Sequence, residues 1–299
     1  VWCRQTRTLT LGRDRLGEKP LYYGWQGVGE GAAFLFGSEL KALKAHSAFS
    51  APIDRGALSL LLRHNYIPAP HCIYAGIAKL PPGCLLTVSL ADPTPRLQTY
   101  WSGKGAVVQG LARPFAGTPA QAVDALDALL KSAVRQQMVA DVPLGAFLSG
   151  GVDSSTIVAL MQAVSKEQGG QPVKTFTIGF NEAGYNEAEH AKAVARHLGT
   201  DHTDLYVSPQ QALDVIPKLP GLYCEPFADS SQIPTFLVSQ MARQHVTVSL
   251  SGDAGDELFG GYNRYVLGQQ LWSKLQRLPT GVRRTVAGVL TGLSPAAWN

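Results

Sequence analysis

The stretch 149-SGGVDSS-155 sets two glycines, three serines and one aspartate directly after an apolar run that ends at Leu148. Gly150 and Gly151 can take backbone conformations closed to other residues, and they let main-chain atoms come close to a ligand. The N–H groups of such a turn, with the positive end of a following helix, form an anion site, and the hydroxyls of Ser149, Ser154 and Ser155 add donors. Asp153 is out of place in a phosphate cradle unless a Mg²⁺ ion bridges it to the phosphate oxygens, or unless it orients the loop as a cap. The P-loop of kinases and GTPases is excluded, because its G-x-x-x-x-G-K-S/T spacing and its lysine are absent. A serine-capped strand-to-helix turn with no ligand would use the same residues, and that alternative stands on this stretch alone.

A second stretch, 251-SGDAGDELFGGY-262, crowds Asp253, Asp256 and Glu257 into five residues among Gly252, Gly255, Gly260 and Gly261. Three close carboxylates repel one another unless a cation neutralises them. A solvated acidic loop is the plainer alternative. Taken with the serine–glycine loop, the pair of stretches points to a magnesium–nucleotide site.

Both stretches need strands behind them. Residues 118 onward alternate helices with strands. Thr118-Pro119 with Gln121 reads as a capping box, followed by a helix with Val123, Leu126, Leu130 and Val134 on one face. A strand is expected at 143–149 and a helix over 154–166 with the stripe Ile157, Leu160, Met161 and Val164. Next come a strand at 173–180 and a helix capped by Asn186 that ends at Gly199. Further strands are expected at 204–207 and 246–250, separated by a helix opened by Ser208-Pro209 and another over 232–245. Such alternation predicts an α/β domain with a doubly wound parallel sheet. Ligands of such sheets bind beyond the carboxyl ends of strands, where both motif stretches sit, so one crevice is expected to hold both.

The first hundred residues differ. Short apolar runs such as 32–37 and 84–90, bounded by Gly and Pro clusters, predict a strand-rich region with one helix at 54–65 capped by Asp54. From 102 to 117 the periodicity fades, and a linker is expected. Across the 299 residues, 26 basic and 22 acidic side chains are scattered without a basic stripe, so no nucleic-acid partner is expected. The longest apolar run, 58-LSLLL-62, is far short of the ~20 residues a membrane helix needs. Cys3, Cys72, Cys84 and Cys224 form no C-x-x-C pair, which favours reduced thiols in a cytoplasmic protein over a disulfide framework or a zinc site. The histidines carry no site; His190 and His197 read as surface or capping groups.

The two motifs in this order resemble those of the glutamine-dependent asparagine synthetase family. The stretch 149–155 is similar to the pyrophosphate-binding PP-loop of ATP pyrophosphatases, and 251–262 to the family's second active-site segment. The stretches 13-RDRLGEKPLYYG-24, 37-GSELKAL-43 and 80-LPPG-83 are similar to the closing part of its glutaminase domain. The resemblance covers nearly the whole chain. It implies the C-terminal part of an N-terminal-nucleophile glutaminase α+β sandwich at 1–101, a linker at 102–117, and an ATP pyrophosphatase-type synthetase domain at 118–299.

The chemistry implied is ATP-dependent adenylation of a carboxylate, aspartate in the family, with ammonia from glutamine then displacing AMP to leave an amide. ATP and Mg²⁺ are the implied cofactors. By position, Ser149, Gly150, Gly151, Asp153, Ser154 and Ser155 would cradle pyrophosphate, with Leu148 and Ile178 lining the adenosine pocket. Ser251 and Gly252 would touch the nucleotide, Asp253 would support the acyl-adenylate as the catalytic residue, and Asp153 and Asp256 would bind metal. Glu225, Asp229 and Ser230 are weaker candidates near the acceptor carboxylate, beside the alternative of a capped helix start. A homodimer is carried as one option for assembly.

Two departures from the family pattern stand out. Asp253 occupies a position that is Glu in well-studied asparagine synthetases, and Ala254 one that is usually Gly. Both leave open a relative acting on another carboxylate, as in exopolysaccharide, sugar or lactam-forming enzymes. A tRNA-modifying thiolase or NAD synthetase fits less well, because basic patches and paired cysteines are missing. The family's N-terminal nucleophile is also missing: residue 1 is Val, and the amine of Cys3 is tied up in a peptide bond. The chain as written is therefore expected to be truncated at both ends, with no glutaminase activity, and a catalytically inactive nucleotide-binding fragment remains the alternative from another class.

Overall fold

A computed structural model describes residues 1–180 and 187–292. The chain divides into two compact units, residues 1–127 with 207–237 and residues 128–206 with 238–299.

In the first unit the chain runs β1 (Trp2–Cys3), β2 (Thr8–Gly12), β3 (Tyr22–Gln26), β4 (Ala33–Gly37), α1 (Leu40–Lys44), α2 (Arg55–His64), β5 (Ala78–Lys79), β6 (Cys84–Ser89), β7 (Arg96–Thr99) and α3 (Gly103–Ala112). Strands β1-β2-β6-β7 make one antiparallel sheet and β4-β3-β5 another. Period-two alternation explains how the sheets stack. Tyr23 of β3 joins Leu11, Leu86 and Val88 in the core shared by the two sheets. Its neighbour Tyr22 points the other way, into a second core with Leu40, Leu43 and Ala57 from the two helices. The Asp54 carboxylate caps α2 as expected, accepting from the N–H groups of Gly56 and Ala57. Helix α1 was not expected; it is only five residues long, and its two buried leucines are too few to make a period. The expected linker also differs: 103–112 is helical, with Ser102 accepting from Gly105 N–H. It buries no residue, so no amphipathic pattern marks it.

The chain continues through α4 (Pro119–Gln137), β8 (Leu144–Phe147), α5 (Val152–Glu167), β9 (Lys174–Phe180), α6 (Ala188–Leu198) and β10 (Asp201–Val207). It then passes α7 (Pro209–Leu213), α8 (Leu219–Leu222), α9 (Gln232–Ala242), β11 (Val248–Leu250), α10 (Gly255–Phe259), α11 (Asn263–Leu275) and α12 (Thr280–Gly292). Thr118 and Gln121 exchange the two bonds of a capping box at the start of α4. Only the later half of the predicted α4 face is covered: Val134 is buried and Leu130 packs beside it, whereas Val123 and Leu126 are exposed. The Asn186 cap predicted for α6 lies outside the described residues. Gly199 ends that helix in the left-handed conformation.

The second unit's sheet has the order β10-β9-β8-β11, with β8 parallel to both β9 and β11. From β8 the chain winds through α5 to β9 and α6 to β10 on one side, while β11 lies on the other. Strand order therefore reverses between β8 and β11, the switch point at which open α/β sheets bind ligands. Of the predicted α5 stripe, Leu160, Met161 and Val164 are buried and Ile157 is partly buried against the same core, with Val158 beside them. The sheet's other face packs Phe176 against Met241, Ala242 and Val246. No helix among the described residues is long and apolar enough to cross a membrane. The four cysteines are free.

One half-buried group is expected to give this unit a pH dependence. His202 of β10 holds its Nδ1 2.9 Å from the Thr175 hydroxyl, while its Nε2 is buried without a partner. Burial lowers its pKa below the ordinary value. The unfolded chain therefore takes up this proton first as the pH falls below about 6.5. Stability should drop through that window and level off below the folded-state pKa, and His202→Gln should flatten the drop in urea midpoints measured between pH 7 and 5.

Candidate nucleotide site

The serine–glycine loop joins β8 to α5 at the switch point. Gly150 sits at φ +82°, and a Cβ there would lie 2.7 Å from the Ala191 nitrogen and 2.8 Å from the Cβ of His190, so the loop lies flush on the first turn of α6. Gly151 is the N-cap of α5 and makes no side-chain capping bond. Two hydroxyls hold the loop's shape. Ser154 Oγ accepts from Ser149 N–H at 3.2 Å and lies 2.9 Å from Ser149 Oγ. The third differs: Ser155 Oγ is buried with no hydrogen-bond partner. A buried donor of this kind at the positive end of a sixteen-residue helix suits an anion.

The acidic loop follows β11 and lies directly on that turn. A Cβ on Gly252 would stand 2.6 Å from Ser154 N and 2.8 Å from the carbonyl carbon of Asp153. A Cβ on Gly255 would collide with the Asp153 carboxylate. The two motifs that sequence reasoning assigned to one crevice are thus in contact. Ala254 between these glycines takes φ +73° and ψ −3°, the left-handed conformation that a Cβ disfavours. Ala254→Gly should accordingly raise stability by about 1 kcal/mol, read as an increase in thermal midpoint.

The acids themselves depart from expectation. Asp253 accepts from the Ser251 hydroxyl at 2.9 Å, Asp256 turns its carboxylate onto Gly261, and Glu257 accepts from the Tyr262 hydroxyl at 2.8 Å. The bond to Glu257 pushes the Tyr262 pKa up and keeps it a donor. No group of three or more His, Cys, Asp or Glu side chains among the described residues could hold a metal ion. The three carboxylates crowded in sequence are thus spread in space, each against its own neighbour. Asp153 remains the acid set against this loop, at the residue before Asp256.

Leu148 also needs correcting. Its side chain is fully buried among Val134, Ala146 and Val158, and its N–H donates to Phe176 O, which leaves only its carbonyl for a ligand. Ile178 is half-buried beside Phe176 on β9. Within the first unit, Glu225 is committed elsewhere: it pairs with Lys79 and accepts from Ile73 N–H at 2.7 Å. Asp229 closes a turn just before α9 by accepting from Ser231 N–H, which holds its carboxyl below the usual range, and Ser230 is exposed. The quoted segment 13–24 is also structural. Arg13 donates to the carbonyls of Leu80 and Gly17, and Asp14 accepts from Gly17 and Glu18 N–H, which ties that loop to 80–83.

Residues 125–297 match the asparagine synthase family model. The chain belongs to the asparagine synthase family. Residues 1–101 match a glutamine amidotransferase domain. Glutamine-hydrolyzing asparagine synthetase 1 of Bacillus subtilis is 32% identical over 97% of this chain and 43% of its own length. A Methanocaldococcus jannaschii protein, named provisionally as a second glutamine-hydrolyzing asparagine synthetase, is 37% identical over 91% of this chain and 50% of its own length. The chain thus spans half or less of each of these family members.

Proposed function

We propose that this chain is the nucleotide-binding portion of an ATP-dependent amide-forming ligase of the asparagine synthetase type. The supporting observation is the contact of Gly252 and Gly255 with the first turn of α5 at the sheet's switch point. In this reading residues 1–101 are the glutaminase part, 102–117 the connection and 118–299 the synthetase part. An acceptor carboxylate, aspartate first among the candidates, attacks the α-phosphorus of ATP and pyrophosphate leaves. Ammonia derived from glutamine then attacks the acyl carbon, AMP departs, and the amide remains.

Main-chain N–H groups at Gly150 and Gly151, with the hydroxyls of Ser149, Ser154 and Ser155, take up the charge on the leaving pyrophosphate. Asp153 and Asp256 would hold Mg²⁺, which when bound neutralises phosphate charge. One or two carboxylates suffice, because phosphate oxygens complete the coordination. Ser251 and Gly252 contact the nucleotide, Leu148 reaches it through its carbonyl, and Ile178 faces the base. Asp253 supports the acyl-adenylate.

A second reading keeps the chemistry and changes the acceptor. It is favoured by Asp253, a short acid drawn back by Ser251. Pyrophosphate release from ATP with Mg²⁺, ammonium and a panel of carboxylates tests both. Release of pyrophosphate and AMP in equal amounts, dependent on aspartate, is expected; dependence on another carboxylate selects the second reading. ADP and phosphate as products, or nucleotide binding without turnover on any carboxylate, would contradict the ligase.

A further inference from the structure

Resting on the nucleotide reading, we infer that His190 is a further binding residue of this site, donating from its imidazole to the phosphates that leave as pyrophosphate. Three observations converge on it. The Cβ of His190 lies against Gly150, close enough that only a glycine fits there, so its side chain leaves the helix beside the serine–glycine loop. The imidazole is exposed and has no hydrogen-bond or ion-pair partner among the described residues. The acid next to it is turned to other work: Glu189 accepts from the Tyr206 hydroxyl at 2.7 Å and from Lys192 at 3.3 Å. Lys192 in turn pairs with Asp204 at 3.1 Å.

The first turn of α6 thus presents a free imidazole beside a loop already set up for anions, and that helix's own positive end points the same way. The imidazole is assigned to the two phosphates that leave rather than to the α-phosphate, which stays with the acyl-adenylate. His190 therefore discriminates between pyrophosphate and AMP, the two fragments of the nucleotide.

The test is calorimetric titration of magnesium pyrophosphate and, separately, AMP into wild-type protein, His190→Ala, His190→Gln and His197→Ala. His197, at the far end of α6, serves as the control. His190→Ala is expected to weaken pyrophosphate by about three- to tenfold, the worth of one hydrogen bond, with AMP unchanged. His190→Gln, which keeps an N–H donor, should recover part of the loss, and His197→Ala should behave as wild type. Unchanged pyrophosphate affinity in His190→Ala, or an equal loss for AMP, overturns the inference and leaves the nucleotide site standing. Wild-type protein that binds neither ligand overturns the nucleotide site and this inference with it.

Discussion

Gly255→Ala should fold and yet lose at least about 100-fold in ATP-dependent turnover, the scale on which misplacement of a reacting group by an ångström is felt. The added methyl would occupy the position of the Asp153 carboxylate, and because every atom it meets belongs to that part-exposed side chain, the side chain swings aside while the backbone stays in place. The displaced group is the acid proposed to hold Mg²⁺ with the phosphates, so the loss should appear in nucleotide affinity as well as rate. Gly252→Ala is different in kind. Its methyl would meet main-chain atoms of Asp153 and Ser154 at 2.6–2.9 Å, which cannot move without lifting the whole turn. Overpacking of that sort costs about 1–3 kcal/mol. A thermal melt beside a turnover assay distinguishes the two: Gly255→Ala keeps its midpoint and loses activity, and Gly252→Ala loses both.

Lys79→Ala should destabilise the first unit by about 3 kcal/mol, the lower end of what removing one partner of a buried pair costs. Its side chain and that of Glu225 are only 14% and 10% exposed, and Lys79 also donates to Ile67 O. Alanine would leave the Glu225 carboxylate, only 10% exposed, with Ile73 N–H and the Cys72 thiol as its remaining partners. Lys79→Met with Glu225→Gln, which removes both charges, should recover most of the loss. Urea unfolding of the three proteins tests this; equal midpoints for wild type and Lys79→Ala would reduce the pair to a surface contact.

The elements behind the site were legible because glycine and serine sit where strands end, and because α5 carries a clean helical stripe. Contact between the motifs was legible too, since two loops at the carboxyl ends of neighbouring parallel strands can only meet over the sheet. Side-chain direction was not legible. Asp253 lies in a loop whereas Asp256 and Glu257 lie on α10, so spacing in sequence said nothing about where each carboxylate points. Leu148 read as a pocket wall because its position matched a motif, but alternation along β8 sends its side chain into the core. Short elements escaped for want of periods: α1 has two buried leucines, and α3 has no buried residue at all. His190 looked like a surface group, and so it is by exposure. Only the approach of α6 to Gly150, a contact across forty residues of chain, gives it a neighbour worth having.

In the proposed ligase, one magnesium–nucleotide joins the two loops through Asp153 and Asp256. Titrating magnesium α,β-methylene-ATP into wild type, Asp153→Asn, Asp256→Asn and the double variant tests it directly. Both acids on one ion predict that each single change weakens binding and that the double variant loses far less than the sum of the two. Strict additivity, or undiminished affinity in either single variant, would mean that the loops do not share a ligand.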